Sequence, residues 1–242
     1  MRMLWKKFRI YGYKKFILYA LDEIKRKIIG QFFRHSYSQR GEDLILNKFL
    51  KNKKEGFYVD VGANDPNRFS NTKIFYDKGW RGINIEPDFN NCQKFIRERS
   101  RDINLNIAIG SAEGKLKFYR FIPDTLSTLC QEEAESYIRQ GYELENIVEV
   151  EVRRLSEVLA NHCSDGKIDF LSIDTEGYDL EVLQSNNWNR YRPNLICIES
   201  VKHNIKDNTH QQQQGYDYFL SQQGYEKVYD NGLNSIYKIK DN

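Results

Sequence analysis

Residues 57–66 read Phe-Tyr-Val-Asp-Val-Gly-Ala-Asn-Asp-Pro, and this short segment carries the strongest structural signal in the chain. Its first five residues are short of charge and contain two valines, which is typical of a parallel strand buried on both faces. The strand places an acid, Asp60, near its end and then opens into a turn at Gly62, where the backbone can approach a ligand closely. Ligands of doubly wound α/β sheets bind at the carboxyl ends of the strands. The segment therefore predicts a parallel sheet with a ligand site at this turn.

Similar apolar segments recur along the chain and alternate with segments of helix length. We predict strands at Phe57–Val61, Gly82–Glu86, Ile103–Ile109, Ile168–Ile173 and Asn194–Glu199, and helices at Thr72–Lys78, Phe89–Glu98, Leu155–Asn161 and Asp179–Gln184. This alternation is typical of a doubly wound α/β fold.

The remaining segments add antiparallel strands and two further helices. Alternating apolar and polar residues predict an antiparallel pair around an irregular insertion, and Asp230-Asn231-Gly232 predicts the turn of a hairpin at the end of the chain. The expected elements are strands at Lys115–Arg120 and Ile147–Val152, an insertion at 121–146, hairpin strands at Tyr225–Tyr229 and Ser235–Ile239, an amphipathic helix over 37–55, and a helix before Gly224 that Gln211–Gln214 begin. The prediction is thus an α/β, mostly parallel sheet that finishes in an antiparallel hairpin.

Composition places the chain among globular proteins. The chain has 242 residues, of which 40% are hydrophobic and 29% charged, so one ordinary domain with a buried core is expected and disorder is excluded. The four cysteines show no zinc-binding spacing. They indicate a reducing compartment, with Cys92 and Cys197 packed as small apolar groups.

The charge is distributed unevenly along the chain. Residues 1–36 contain ten basic and two acidic residues, whereas the rest contains 27 basic and 32 acidic ones. Residues 37–242 therefore form a domain that is not expected to bind nucleic acid. The extension 1–36 interleaves its basic residues with aromatic ones such as Trp5, and two readings stay open: a helix on an anionic membrane surface, or one packed on the domain or a second subunit. No apolar run is long enough for a membrane span or a signal peptide, so a cytoplasmic location is expected.

A second acidic strand end narrows the choice of ligand. Glu86 follows Gly62 by 24 residues, a position from which a carboxylate can bind both ribose hydroxyls of a nucleoside. NAD sites require further glycines for the pyrophosphate, and here Asp60 and Asp65 would repel it. A cofactor with a sulfonium and an amino-acid tail fits better, which indicates S-adenosylmethionine. A nucleotide-dependent oxidoreductase is the alternative enzyme.

Two later strand ends supply candidate catalytic groups. Asp174 and Glu176 follow the strand at 168–173, where they could bind a divalent metal, act as a base or orient a substrate, unless one of them caps the next helix. Glu199 ends the adjacent strand, and His203 lies just beyond it. We expect His203 to accept the proton of the acceptor, because its ordinary pKa near 6.5 suits a base at neutral pH; a surface histidine is the alternative.

Five sequence motifs together resemble the FkbM-type methyltransferase family. They are Asp60-Val-Gly-Ala-Asn64, Gly79-Trp-Arg-Gly82 leading to Ile85-Glu-Pro87, Asn106-Ile-Ala-Ile109, Ile173-Asp-Thr-Glu-Gly177 followed by Val182-Leu183, and Ser36-Tyr-Ser-Gln-Arg-Gly-Glu-Asp43. The resemblance covers about residues 36–240. It implies a class I, Rossmann-like methyltransferase fold with a seven-stranded sheet, preceded by an N-terminal helical extension.

The resemblance also implies the roles of particular residues. Asp60, Gly62 and Asn64 would line the methionine part of the cofactor, Glu86 would bind the ribose, and the residues around Ala108 would contact the adenine. The full set of expected cofactor contacts is Gln39, Asp60, Gly62, Ala63, Asn64, Asn71, Glu86, Pro87, Asn106, Ala108 and Asp174. The reaction implied is O-methyl transfer to a sugar hydroxyl in the synthesis of surface glycans or glycosylated products. A membrane-docked scaffold that binds the cofactor without turnover is the alternative outside enzymes.

Overall fold

The structure is a computed structural model that describes residues 36–199, 201–204, 209–212 and 215–240. The backbone alone is described at 201–204 and 209–212, so the side chain of His203 lies outside the described part. The predicted extension, including Trp5 and both readings of its basic helix, also lies outside it, apart from Ser36.

Twelve strands occur among the described residues. In chain order they are β1 (Phe57–Val61), β2 (Arg81–Ile85), β3 (Ile103–Leu105), β4 (Ala108–Ile109), β5 (Gly114–Ile122), β6 (Glu143–Arg153), β7 (Phe170–Ile173), β8 (Leu195–Glu199), β9 (Val201–Asn204), β10 (Thr209–Gln212), β11 (Tyr225–Asp230) and β12 (Asn234–Ile239). The helices are α1 (Glu42–Phe49), α2 (Lys73–Asp77), α3 (Phe89–Glu98), α4 (Gln131–Gln140), α5 (Leu155–His162), α6 (Asp179–Gln184) and α7 (Gly215–Gln222).

Seven strands form the central sheet in the order β11-β12-β8-β7-β1-β2-β3. The five neighbouring strands β8, β7, β1, β2 and β3 are mutually parallel. Strand β12 runs antiparallel to both of its neighbours, β8 and β11. The final hairpin therefore adds to the sheet edge, with its last strand inserted next to β8. This topology confirms the predicted mostly parallel sheet that ends in an antiparallel hairpin.

Alternate residues of the central strands build a hydrophobic core on each face of the sheet. Along β1, Val59 packs in one buried cluster with Leu171, whereas Tyr58 packs in the other with Phe75 and Trp80. Cys92 and Cys197 are both buried, as predicted. With both faces covered in this way, the carboxyl ends of the parallel strands remain as the accessible edge for a ligand.

Four local predictions were wrong. The helix predicted over 37–55 is confined to Glu42–Phe49, because Gly41 adopts a left-handed conformation (φ 87°) before it and the polar residues 51–55 are exposed after it. The segment 103–109 is divided into β3, which pairs with β2, and β4, which joins a second sheet beside β6. The insertion 121–146 contains a regular helix, α4, next to the antiparallel pair β5 and β6. Residues Gln211 and Gln212 belong to β10, which pairs with β9, rather than to a helix.

Candidate functional site

The strand ends enclose a cleft at the carboxyl edge of the sheet. Ten of the eleven expected cofactor contacts line it: Gln39, Asp60, Gly62, Ala63, Asn64, Asn71, Glu86, Pro87, Ala108 and Asp174. Glu176 and Glu199, from the predicted catalytic set, line it as well. The structure thus brings the sequence-predicted residues together, and their individual roles stay predictions.

The backbone amides of the turn after β1 all donate hydrogen bonds to other groups of the protein. The N–H groups of Gly62 and Ala63 both donate to the carbonyl of Ile85, at 3.0 and 3.2 Å. The next amide, of Asn64, donates to Glu86 Oε2 at 2.7 Å, and that of Asp65 donates to the Ala63 carbonyl. A loop that binds pyrophosphate needs free amides directed at the phosphate oxygens. This turn has none to offer over residues 62–65.

Glu86 is a buried carboxylate held by two backbone amides. Oε1 accepts from the N–H of Asp88 at 2.7 Å, and Oε2 accepts from that of Asn64. Burial raises the pKa of Glu86 to about 8, although both hydrogen bonds oppose this shift. Each oxygen keeps a lone pair for a further donor. Glu86 can therefore accept two hydroxyl groups and would be stabilised in its charged form by doing so.

Asp60 lies at the tip of β1, beneath the cleft. Its Oδ2 accepts a hydrogen bond of 2.8 Å from the hydroxyl of Thr72. Burial raises the pKa of Asp60 to about 6, and the Thr72 hydrogen bond and the nearby Arg99 charge act in the opposite direction. A cationic ligand in the cleft would favour the ionised form of this group.

Asp174, Glu176 and Glu199 form an acidic cluster, in which ligand oxygens of the three side chains lie within 4.8 Å of one another. Asp174 reaches the solvent of the cleft, and the other two are half-buried. Enclosure by the cleft walls raises the pKa of Asp174 to about 7, and the charges of Asp179 and Asp60 add to this effect. Burial first, and then the neighbouring carboxylates, raises the pKa values of Glu176 and Glu199 as well. A ligand that brings positive charge or hydrogen-bond donors would relieve this repulsion.

The helix-capping alternative for this motif was wrong. Asp179 accepts the hydrogen bonds of the turn, from the backbone N–H and hydroxyl of Thr175 (2.9 Å each) and from the N–H of Gly177. Glu176 has a left-handed backbone (φ 52°) and accepts a 2.6 Å hydrogen bond from the hydroxyl of Tyr137. Asp174 and Glu176 are therefore left available to the cleft.

Asn106 is the one expected cofactor contact that does not line the cleft. Its Nδ2 donates to the backbone carbonyls of Glu86 and Pro87, each at 2.9 Å. The side chain thereby fixes the segment that carries Glu86 and interrupts the strand predicted at 103–109. Its place in the structure is that of a positioning residue.

Several residues that line the cleft were not predicted from the sequence. Phe118 of β5 and Leu129 of the insertion form an apolar wall near Ala108. Asn234 begins β12 and lies opposite Glu199 in the antiparallel register. The Asp230-Asn231-Gly232 turn predicts the hairpin that carries Asn234, but no local pattern predicts that β12 pairs with β8.

The strand order and the cleft at the carboxyl edge define a class I methyltransferase with a Rossmann-like fold. A family model of the methyltransferase FkbM domain matches residues 60–227. The match spans more than half of the chain, and the protein belongs to this family. Membership implies S-adenosylmethionine as the cofactor, in agreement with the prediction from the sequence.

Solved structures resemble the chain at the level of the fold. Methyltransferase FkbM from Methylobacillus flagellatus is 16% identical, with a TM-score of 0.47; the match covers 76% of this chain and 44% of that one. The 1,6-didemethyltoxoflavin-N1-methyltransferase of Burkholderia thailandensis, solved with S-adenosylhomocysteine, is 11% identical with a TM-score of 0.42, covering 93% and 88% of the two chains. This chain thus spans less than half the length of the first of these proteins. No curated protein matches the sequence.

Among the described residues, no helix has both the length and the apolar character that crossing a bilayer requires.

Proposed function

We propose that this protein transfers the methyl group of S-adenosylmethionine to a hydroxyl group of a sugar. The observation that carries the proposal is the division of the cleft into two ends. One end holds Glu86 beside a turn without free amides, and the other holds the acidic cluster. The first end suits a nucleoside without phosphates, and the second suits a ligand rich in hydrogen-bond donors.

The cofactor end accounts for the choice of S-adenosylmethionine over a dinucleotide. The ribose hydroxyls would donate to Glu86, and the methionine part would lie along the turn from Asp60 to Asn64. A dinucleotide would place its pyrophosphate at the same turn, where Asp60 and Asp65 are negative and the amides are already used. This observation disfavours the nucleotide-dependent oxidoreductase.

The acceptor end would bind and activate the hydroxyl. Carboxylates of the acidic cluster can accept hydrogen bonds from neighbouring sugar hydroxyls and hold one oxygen in line with the methyl carbon. That oxygen forms a bond to the methyl carbon while the carbon–sulfur bond breaks, and the sulfur keeps the electron pair as a neutral thioether. The hydroxyl proton passes to a base, for which His203 is our first candidate and Glu199 or Asp174 the others. The strand β9 that carries His203 begins two residues after Glu199 in the chain.

A divalent metal fits the same end of the cleft. Three carboxylates with oxygens within 4.8 Å of one another offer the hard ligands that Mg²⁺ prefers. Asp174 and Glu176 would hold the metal, which as a Lewis acid would lower the pKa of a bound hydroxyl.

The setting of the reaction would be the synthesis of surface glycans or glycosylated products in the cytoplasm. Residues 1–36, with their excess of basic residues and Trp5, would contact the inner face of the membrane or a second subunit. Co-sedimentation with vesicles at low salt separates these two roles. Binding to anionic but not to neutral vesicles supports membrane contact, and no binding favours the subunit contact.

Two measurements test the proposal. S-adenosylhomocysteine should raise the melting temperature, because a ligand that binds only the folded state stabilises it, whereas NADH should not. A shift with NADH and none with S-adenosylhomocysteine would show that the cofactor is wrong. Incubation with methyl-labelled S-adenosylmethionine and a panel of sugars should label a hydroxyl. Tight cofactor binding without any labelled product would favour the non-catalytic scaffold.

The base is tested separately once a labelled acceptor is known. His203→Ala should lower kcat by about 10²–10⁴-fold and leave cofactor affinity nearly unchanged. Asp174→Asn should weaken both acceptor binding and turnover. If the His203→Ala enzyme keeps a kcat near the wild-type value across pH 6–9, then Glu199 or Asp174 accepts the proton of the acceptor hydroxyl.

A further inference from the structure

The charged side chains that line the cleft are all of one sign in the described part of the chain. Seven are carboxylates, and none is a lysine, arginine or histidine: Asp60, Glu86, Asp88, Asp124, Asp174, Glu176 and Glu199. A cleft with this composition favours cations over anions.

Four of these carboxylates are compensated by groups of the protein. Asp88 pairs with Arg120, and Asp124 pairs with Arg68 at 3.1 Å. Glu86 accepts from two backbone amides, and Asp60 accepts from the hydroxyl of Thr72.

The acidic cluster is not compensated in this way. The carboxylates of Asp174 and Glu199 have no hydrogen bond or ion pair with any described residue, and Glu176 receives only the hydroxyl of Tyr137. Three carboxyl groups thus face the acceptor end with one hydrogen-bond donor between them.

Asn234 adds a second acceptor group to the same end. Its side chain is 7% exposed, and its Nδ2 donates to Glu42 Oε1 at 2.8 Å. A carboxylate accepts hydrogen bonds and cannot donate them, so Glu42 must face the Nδ2 group of the Asn234 amide. The other atom of this amide, Oδ1, has no hydrogen-bond partner among the described residues. Asn234 lies opposite Glu199 in the strand register and lines the cleft. An acceptor oxygen in the cleft wall beside three carboxylates favours a ligand that donates.

We propose that the acidic cluster and Asn234 form a cation-selective subsite, so that the groups bound there are positively charged or neutral hydrogen-bond donors. The inference rests on the proposed function and narrows its substrate class. The acceptor is a neutral or amine-bearing hydroxyl compound, and the part that enters the cleft carries no phosphate, sulfate or carboxylate. The sulfonium of the cofactor is attracted by the same charges, and the neutral thioether left after methyl transfer is not.

Sinefungin provides a probe that does not depend on knowing the acceptor. It carries a C–NH₃⁺ group where S-adenosylmethionine carries the S⁺–CH₃ group, and S-adenosylhomocysteine is its uncharged counterpart. In calorimetry with excess EDTA, sinefungin should bind the wild-type protein at least about tenfold more tightly than S-adenosylhomocysteine. Glu199→Gln and Asp174→Asn should reduce this ratio to about threefold or less. The matched control Glu151→Gln removes one negative charge from the surface outside the cleft and should leave the ratio unchanged.

The outcomes separate this inference from the proposed function. Equal affinities of sinefungin and S-adenosylhomocysteine, or a ratio that the cluster variants do not change, would overturn the cation-selective subsite while cofactor binding still stands. Failure of both ligands to bind would overturn the proposed function itself. Acceptors are then compared in forms that differ at one substituent: amine, hydroxyl, carboxylate and phosphate. Methylation of a carboxylate or phosphate form as fast as its neutral counterpart would also overturn the subsite.

Discussion

Gly62 and Asp174 meet through their backbones at the centre of the cleft. A Cβ atom placed on Gly62 would lie 1.8 Å from the carbonyl oxygen of Asp174, closer than any real contact. Gly62 also has a left-handed backbone, with φ at 77°. The tips of β1 and β7 can approach this closely because residue 62 has no side chain, and this approach places the turn beside the acidic cluster.

Gly62→Ala should therefore separate the two strand tips. The left-handed backbone and the overlap with Asp174 together should lower the free energy of unfolding by about 2–5 kcal/mol and abolish S-adenosylhomocysteine binding. Gly79→Ala is the matched control, because Gly79 is also left-handed (φ 93°) and a Cβ there meets nothing within 4 Å. It should cost about 1–2 kcal/mol and keep the ligand affinity. Denaturant unfolding and calorimetry measure both quantities, and equal ligand affinity in the two variants would contradict the prediction.

Cofactor binding should release a proton from Glu86. The pKa of this buried carboxyl is about 8 without a ligand, and donors from the ribose would favour its charged form. Affinity for S-adenosylhomocysteine should thus rise with pH up to about 8 and then level off. Calorimetry at pH 7 in buffers of different ionisation enthalpy measures the proton released. Glu86→Gln should bind S-adenosylhomocysteine more weakly and without this pH dependence. If the affinity of the wild type is constant from pH 6 to 9, a group other than Glu86 binds the ribose.

The same residue should make the ligand-free protein less stable as pH rises. The pKa of Glu86 is raised from 4.5 when unfolded to about 8 when folded, so the folded state binds more protons between these values. The contribution of Glu86 to stability is then present below pH 4.5 and is lost as pH rises toward 8. Urea unfolding at pH 5 and pH 8 should show a smaller difference in Glu86→Gln than in the wild type. An equal difference in both proteins would mean that Glu86 is not protonated in the fold.

Glu42 joins the start of the described chain to the final hairpin. It is fully buried, and its Oε1 accepts from the side-chain amides of Asn231 and Asn234, each at 2.8 Å. Glu42→Ala should lower the free energy of unfolding by about 2–3 kcal/mol, because two donors lose a charged partner. Glu55→Ala, at an exposed position two residues before β1, should change it by less than about 0.5 kcal/mol. Similar losses in the two variants would show that this buried link does not stabilise the fold.

The parts of the site that lie on single strands could be predicted from the sequence. Asp60 lies near the end of a short buried strand, Glu86 and Asp174 each directly follow one, and parallel strands bring their carboxyl ends to one edge. For the same reason, the adjacency of β7 and β8 brings Asp174 and Glu199 together. The pattern of short buried strands, together with the rule that parallel strands end at one edge of the sheet, is sufficient to predict that these residues lie in the site.

The remaining features depend on contacts between distant segments. Either Asp174 or Glu176 could cap the next helix by sequence, but the distant Tyr137 donates to Glu176, and Asp179 accepts the hydrogen bonds of the turn. The break in the segment 103–109 follows from the bonds of Asn106 to the carbonyls of another strand end. No local pattern contains this information, because the partners are brought in by the fold.

The acidic cluster should bind a divalent metal when its three carboxylates are intact. Their oxygens lie within 4.8 Å of one another, and Asp174 and Glu199 have no protein partner in the described residues to displace. Mn²⁺, followed by electron paramagnetic resonance on the protein loaded with S-adenosylhomocysteine, should bind at one site, and Glu176→Gln should weaken it by about tenfold or more through the loss of one charge. Glu151→Gln, whose charge pairs with Arg153 outside the cleft, should leave the affinity unchanged. Full methyl transfer in excess EDTA, together with no Mn²⁺ binding, would remove the metal from the reaction and leave the carboxylates as groups that orient the acceptor hydroxyls.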